Sequence, residues 1–213
     1  MKSLFVASLL IVSGASIAQT SSYRLTSHGQ HIGTMQDTDV YTSTRHTDHS
    51  DFKILANGKE FSMVTEEVET AQGDWISKSM KVSGGGTTGS LVATPTATGA
   101  HIVMEGNGKH QTMEIPRISK MTTRNPTIAW FRVRMPKVGE TVSYQRFDVQ
   151  TQKWSEVTLK YVGPTSVQIG GKTRHGFAVQ KIEGGKTESG VVDQSNELMK
   201  YDSGDMAVER VYK

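Results

Sequence analysis

Histidines and carboxylates are the residues of this chain with the most capacity for chemistry, and several fall close together. Four of the seven histidines lie between residues 28 and 49, as His28 and His31 in SHGQH and as His46 and His49 in RHTDHSD. Zinc takes nitrogen and oxygen donors in tetrahedral sets. A turn at Thr47-Asp48 would set His46 and His49 on either side of it with Asp51 nearby, so these three are the candidate metal ligands. That turn has no glycine to favour it, and a solvated polar loop accounts for the same residues without a metal. The sequence calls for no cofactor.

SHGQH resolves differently. Histidine tolerates the left-handed conformation better than most residues, and glycine follows it, as a type I′ hairpin turn prefers. With His28-Gly29 as the turn, Leu25 faces Ile32 and Tyr23 faces Thr34. A turn at Gly29-Gln30 would instead set apolar against polar residues, and register follows the apolar pairing. His28 is then at the tip and His31 opposite Thr26, so the two do not chelate.

A richer constellation lies in HIVMEGNGKHQTMEIP. Asn107-Gly108 is a strong type I′ signal. It pairs His101 with Glu114, Glu105 with His110, Ile102 with Met113 and Met104 with Gln111. The two His–Glu pairs are separated by about 13 Å along the strands, too far to share one metal. Opposite charges across a solvated face explain them without function; otherwise His101, Glu105, His110 and Glu114 are polar ligand contacts or a pH-sensitive site. The Asn57-Gly58 hairpin pairs Ile54 with Phe61 and Phe52 with Met63, an apolar cluster that is either core or a lipid-like ligand surface.

Other motifs fail on inspection. GGKT occurs at 170–173 and 184–187, but a phosphate loop needs glycine five positions before the last glycine, where Ser166 and Gln180 stand. There is no G-x-S-x-G, H-E-x-x-H or dinucleotide fingerprint. A serine–histidine–carboxylate triad needs no adjacent residues, and nothing in the sequence recommends one.

The elements that position these residues read almost wholly as strands. Short alternating runs rich in Thr, Val and Tyr, bounded by glycine turns, place strands at 23–27, 30–36, 38–45, 51–56, 59–69, 74–83, 87–93 and 99–105. Further runs follow at 110–115, 140–148, 153–162, 165–169, 173–182, 188–193, 196–201 and 205–212. Apolar residues nowhere keep helical spacing over 11 positions. Asn125-Pro126 could open one short helix near 126–131, or the segment is an extended linker. So many strands joined by tight turns predict an all-β fold, a strongly curved antiparallel meander of half-barrel or open barrel-like form.

The opening MKSLFVASLLIVSGASIA has the charged, apolar and small-residue layout of a secretory signal peptide over residues 1–18, with one β domain over 19–213. Its apolar run is too short for a membrane span of roughly 20 residues. No cysteine occurs, so disulfides, thiolate sites and a lipid-anchoring cysteine drop out together. The net charge of +3 falls by one without Lys2 and its charges are interspersed, unlike the clustered basic residues that bind nucleic acid.

HGQHIG near the start and VVDQSNELMKYDSGDMAVERVYK at the end give the chain a further likeness. On these stretches it resembles exported bacterial β-proteins of uncharacterised function, which look like relatives of the half-barrel carriers that shelter lipoprotein acyl chains. The resemblance implies a curved sheet with a concave, lipid-facing side, and carries over no functional residue. The expectation is a soluble, non-enzymatic protein exported to the periplasm or beyond, not lipid-anchored. Its ligand would be a lipid or other apolar small molecule, held against Phe52, Ile54, Phe61, Met63, Met104 and Met113. The alternatives are a structural or protein-interaction module with a packed core, and a divalent-metal binder or hydrolase using the histidine-rich segment.

Overall fold

The computed structural model describes residues 16 to 56, 58 to 203 and 205 to 212. Residues 1 to 15 of the expected leader therefore lie outside the described residues, as does Asn57. The strands are β1 (Ile17–Ser27), β2 (Gln30–Tyr41), β3 (Arg45–Ala56), β4 (Lys59–Thr70), β5 (Trp75–Gly84), β6 (Thr87–Pro95) and β7 (Gly99–Gly106). They continue with β8 (Lys109–Pro116), β9 (Thr141–Asp148), β10 (Lys153–Ile169), β11 (Lys172–Glu183), β12 (Lys186–Val192), β13 (Leu198–Asp202) and β14 (Met206–Val211). All fourteen form one antiparallel sheet in the order β8-β7-β6-β5-β4-β3-β2-β1-β14-β13-β12-β11-β10-β9. No helix occurs among the described residues, and none is long and apolar enough to cross a membrane. The Asn125-Pro126 segment makes turns instead: Asn125 Oδ1 accepts from both the backbone N–H and the hydroxyl of Thr127.

Glycine and asparagine turns set most registers. His28 and Gly29 adopt φ of 49° and 77°, and Asn107 and Gly108 adopt 50° and 73°, the left-handed pair of a type I′ turn. The first hairpin nevertheless departs from the expected pairing. Thr26 faces His31, but a bulge then shifts the register so that Leu25 faces Gly33 and Tyr23 faces Met35. A bulge costs one ladder position, and Ile32, the extra residue, still packs with Tyr23, Leu25 and Val208. A Cβ at Gly33 would lie 2.1 Å from the Lys53 carbonyl oxygen, so β2 and β3 can approach here only because glycine stands there.

Two further departures share one cause. RHTDHSD is continuous strand within β3, not a turn, and the break expected at Gly163-Pro164 is a bulge inside the single strand β10. In both, pairing on either side overrides a local turn signal. The GGKT stretches are the β10–β11 and β11–β12 turns, with Gly170, Gly171, Gly184 and Gly185 all at positive φ.

The sheet does not close. β8 and β9 are its edges, and the β9–β10 hairpin lies across the inner face of β5–β8 through side chains. Phe147, Val149 and Trp154 pack with Trp75, Leu91, Ala93, Ala100 and Ile102. Trp154 meets Trp75 and Phe147 edge-on at centroid distances of 5.6 and 5.4 Å, and its indole N–H donates to the Ile115 carbonyl on β8 at 3.1 Å. On the opposite face of this hairpin Tyr144 and Val157 are buried as well. The sheet is thus rolled with overlapping ends.

The chain between β8 and β9 seals one end of the roll. Arg124 holds Asp74 through two hydrogen bonds of 2.8 and 2.9 Å, and Phe131 stacks on Phe177 at 4.6 Å. The Arg132 guanidinium lies over Tyr41. Trp154→Phe should cost about 1–2 kcal/mol by leaving the Ile115 carbonyl unpaired, and Trp154→Ala about 3–5 kcal/mol by opening a cavity at the overlap. Urea unfolding of the two variants checks both figures.

Candidate functional site

Strand alternation assigns each side chain to a face. On the inner face β2 presents Gly33, Met35, Asp37, Asp39 and Tyr41. Beside them β3 presents Ile54, Phe52, Ser50, Asp48 and His46, and β4 presents Phe61, Met63, Thr65, Glu67 and Glu69, each row in register with the next. The concave side is therefore layered along the strands. An apolar band lies near the His28-Gly29 and Gly58 turns, and an ionisable layer lies toward the end sealed by the β8–β9 connection.

The ionisable layer is a connected chain. Lys78, 5% exposed, pairs with Glu67 at 2.6 Å, and Arg146 approaches the other oxygen of Glu67 at 3.8 Å. His46 lies between Asp39, at 2.5 Å from Nε2, and Glu69, at 3.6 Å from Nδ1, with its ring stacked on Tyr41 at 4.1 Å. Arg210 reaches Asp193 at 2.7 Å and Glu197 at 3.4 Å. Ser50 donates to Asp37 at 2.5 Å, and Asp48 completes the group. Carboxyl groups outnumber cations here.

Because ionised carboxylates are costly to bury together, several are shifted above their ordinary range. Burial, then the Asp39 carboxyl with which it shares a hydrogen bond, pushes Glu197 up to about 9. Burial, then the charges of Asp37 and Asp39, holds Asp48 well above the usual carboxylate range. Burial raises Asp37 and Glu69 too. Burial opposes the charge of His46, but its hydrogen bonds and charge contacts with Asp39 and Glu69 prevail and raise it to about 9. Against burial, His46 holds Asp39 below its ordinary value, and Lys78 with Arg146 does the same for Glu67. Burial lowers Lys78.

The candidate metal ligands are not brought together. His46 and His49 are an odd number of residues apart in one strand, so they face opposite sides of the sheet. His46 is in the buried layer, while His49 is on the outer face, 4.0 Å from Glu66, with Asp51 on the same side as His49. Any oxygen-ligand site falls elsewhere: Asp37, Asp39 and Glu197 each bring a carboxylate oxygen within 4.8 Å of the others.

His101, Glu105, His110 and Glu114 pair as their hairpin requires, at 2.6 Å for His101–Glu114 and 3.5 Å for His110–Glu105. They face away from the interior and are largely exposed; of the four, Glu105 alone also borders the depression lined by Met80, Leu91 and Met104. The apolar candidates share the inner face but do not form one wall. Phe52 and Ile54 pack with Tyr23 and Leu25, whereas Met104 borders the core beneath the β9–β10 hairpin. Phe61 and Met113 are 40% and 36% exposed.

The spacing does contain a signal for the ionisable layer. Asp37 and Asp39, His46 and Asp48, and Glu67 and Glu69 are in phase with Met35, Phe52 and Met63 of their own strands. Residues in phase share a face, so these charges belong with the apolar residues and not with solvent.

No family model matches the sequence, and no curated protein matches it. Among solved structures, the fold is similar to that of a beta-barrel-like protein of a domain of unknown function, DUF1849, from Brucella abortus. That likeness has a TM-score of 0.61 at 13% identity over 90% of this chain and 94% of the other, and it is one of fold alone. It places the chain beside an uncharacterised bacterial all-β protein and does not extend to the acyl-chain carriers.

His46 and Glu197 are both raised, so each contributes stability that is complete below its unfolded value and lost as pH rises to about 9. Asp39, Glu67 and Lys78 act with the opposite sign, the two acids only below the ordinary carboxylate range. The melting temperature is expected to fall between roughly pH 6 and pH 9, and Glu197→Gln to flatten that fall. Circular-dichroism melts across this interval would contradict the assignment if stability rose instead.

Proposed function

We propose that this is an exported envelope protein that binds, without catalysis, a hydrophobic or amphiphilic molecule at the apolar end of its rolled sheet. One observation carries the reading: a cavity of about 290 Å³ walled by Met80, Val82, Leu91 and Met104, with Glu105, Lys109, Gln111 and Gln152 at its rim. Ligand pockets run from about 300 to 1,000 Å³ and combine an apolar lining with a few polar groups, so this one suits an acyl chain segment or a small apolar ring. Met104 was the expected wall residue that lines it; Phe61 and Met113 extend the accessible apolar surface of the same face. The three-part opening of the chain supports export.

A hydrolytic reading has one feature in its favour. Ser166 and His175 share a hydrogen bond of 2.9 Å on the wall of a depression that Asp193 also lines. Asp193 is committed to Arg210 and to the backbone N–H groups of Ser195 and Glu197. It is therefore not free to orient the imidazole as a triad requires, and binding is the better reading.

Titration with a naphthylamine probe that fluoresces in apolar surroundings tests the cavity. Wild type should bind it, and Met104→Arg should weaken binding at least about tenfold by placing a charge in the apolar wall. His101→Ala, on the outer face, should bind as wild type. Absent probe binding, or Met104→Arg binding as wild type with an unchanged far-UV spectrum, would sink the proposal.

A further inference from the structure

The β10–β11 hairpin reaches further than the strands beside it. β12 pairs with β11 only from Phe177 to Glu183, so residues 172–176 of β11 and their partners on β10 project past β12 and meet β14. There the Gly170 N–H donates to Glu209 Oε1 at 3.3 Å. Gly170 and Gly171, at φ of 56° and 75°, turn the chain, and Ile169 beside them is 4% exposed. Between this tip and the β1–β14 ladder lies a depression of about 270 Å³. Lys172 and Arg174, two residues apart and so on one side of β11, line it from the tip. Arg24, Arg210 and Tyr212 line it from the ladder.

The lining is unbalanced in charge. Glu209 is its single acid against four cations, and Glu209 is engaged by Lys200 at 3.4 Å as well as by Gly170. Arg210 is committed to Asp193 and Glu197. Arg24, Lys172 and Arg174 line the depression without a salt bridge among the described residues. A second observation comes from Arg174. Its guanidinium lies over the Tyr212 ring at 3.5 Å, which fixes its plane, and its Nε is buried without a hydrogen-bond partner. A planar fork of donors held flat on an aromatic ring is suited to an oxyanion. A buried donor left unmet carries a cost that an arriving acceptor removes.

We propose that this depression binds a phosphate group through Arg174, Lys172 and Arg24. Phosphate offers more oxygens and more charge than a carboxylate, enough for the Arg174 fork and two further cations together. The volume is below the roughly 300 Å³ at which pockets enclose drug-sized molecules. The occupant is therefore small: inorganic phosphate, or the phosphate of a lipid headgroup whose remainder stays outside. The first GGKT stretch thus contributes its lysine from a hairpin turn and not from a nucleotide loop. The depression shares no lining residue with the apolar cavity, so the site stands apart from the proposed function.

The test titrates the full chain calorimetrically with sodium phosphate and, separately, with sodium acetate at one ionic strength. In parallel the chain is sedimented with vesicles of phosphatidylcholine alone or mixed with phosphatidic acid. Phosphate should bind at one site, and acetate at least about tenfold more weakly. Arg174→Lys keeps the charge but loses the fork and should weaken phosphate binding about tenfold. Lys172 is exposed, so Lys172→Gln is expected to fold and to weaken binding about threefold. Lys59→Gln, at an exposed position of the β3–β4 turn, should bind as wild type. Retention on the phosphatidic-acid vesicles that Lys172→Gln reduces and Lys59→Gln does not would identify a headgroup; phosphate binding without it would identify the free ion. Phosphate bound in neither form, acetate bound as tightly, or both site variants binding as wild type would each overturn the proposal.

Discussion

The rest of the molecule depends on the overlap at which β9 and β10 lie across the inner face of β5–β8. Fourteen antiparallel strands are more than an open twisted sheet usually carries without curling, and a curled sheet that fails to close needs cover for its inner face near the edge. Here the cover is the sheet's own far end. Trp75, Phe147 and Trp154 form the contact, and Ala93 and Ala100 give the bulky rings room to approach. Because the hairpin is buried on both faces, the interior is shared between packed core and a smaller accessible remainder.

That remainder is divided by chemistry. At one end the inner face keeps Phe61, Met63, Met80, Val82 and Met104. At the other it holds the chain of acids and bases from Lys78 to Asp193, beneath the β8–β9 connection. A buried charged layer is tolerable only where pairing and retained protons reduce its net charge. Both devices are present: Lys78 pairs with Glu67, and burial with acidic neighbours shifts Glu197 and Asp48 upward, toward the neutral form. The polar layer bounds the apolar band, so an amphiphile entering from the open end would meet polar groups at depth as well as at the rim.

Much of the fold was legible because glycine turns fix hairpin registers. His28-Gly29 and Asn107-Gly108 paired their strands as their left-handed preferences require. What escaped was set by long-range pairing. The bulge at Ile32 leaves no mark in SHGQH itself, and it moved Leu25 from Ile32 to Gly33. RHTDHSD looked like a loop because its polar residues satisfy every local rule for one, yet β2 and β4 on either side draw it into the sheet. The ionisable layer was hidden by the habit of assigning charge to solvent. Asp39, Asp48 and Glu69 face the interior because their strands carry them there, and only their phase with Met35, Phe52 and Met63 betrays it; Glu197, in the β12–β13 turn, left no such mark.

The central claim is that the apolar end of the roll is a binding surface and not merely a core left open at one side. Native mass spectrometry of the protein purified from its own host tests this most directly. The account expects a species heavier than the polypeptide by the mass of an amphiphile that organic solvent extracts. A bare polypeptide mass under conditions that preserve known lipid complexes would contradict it.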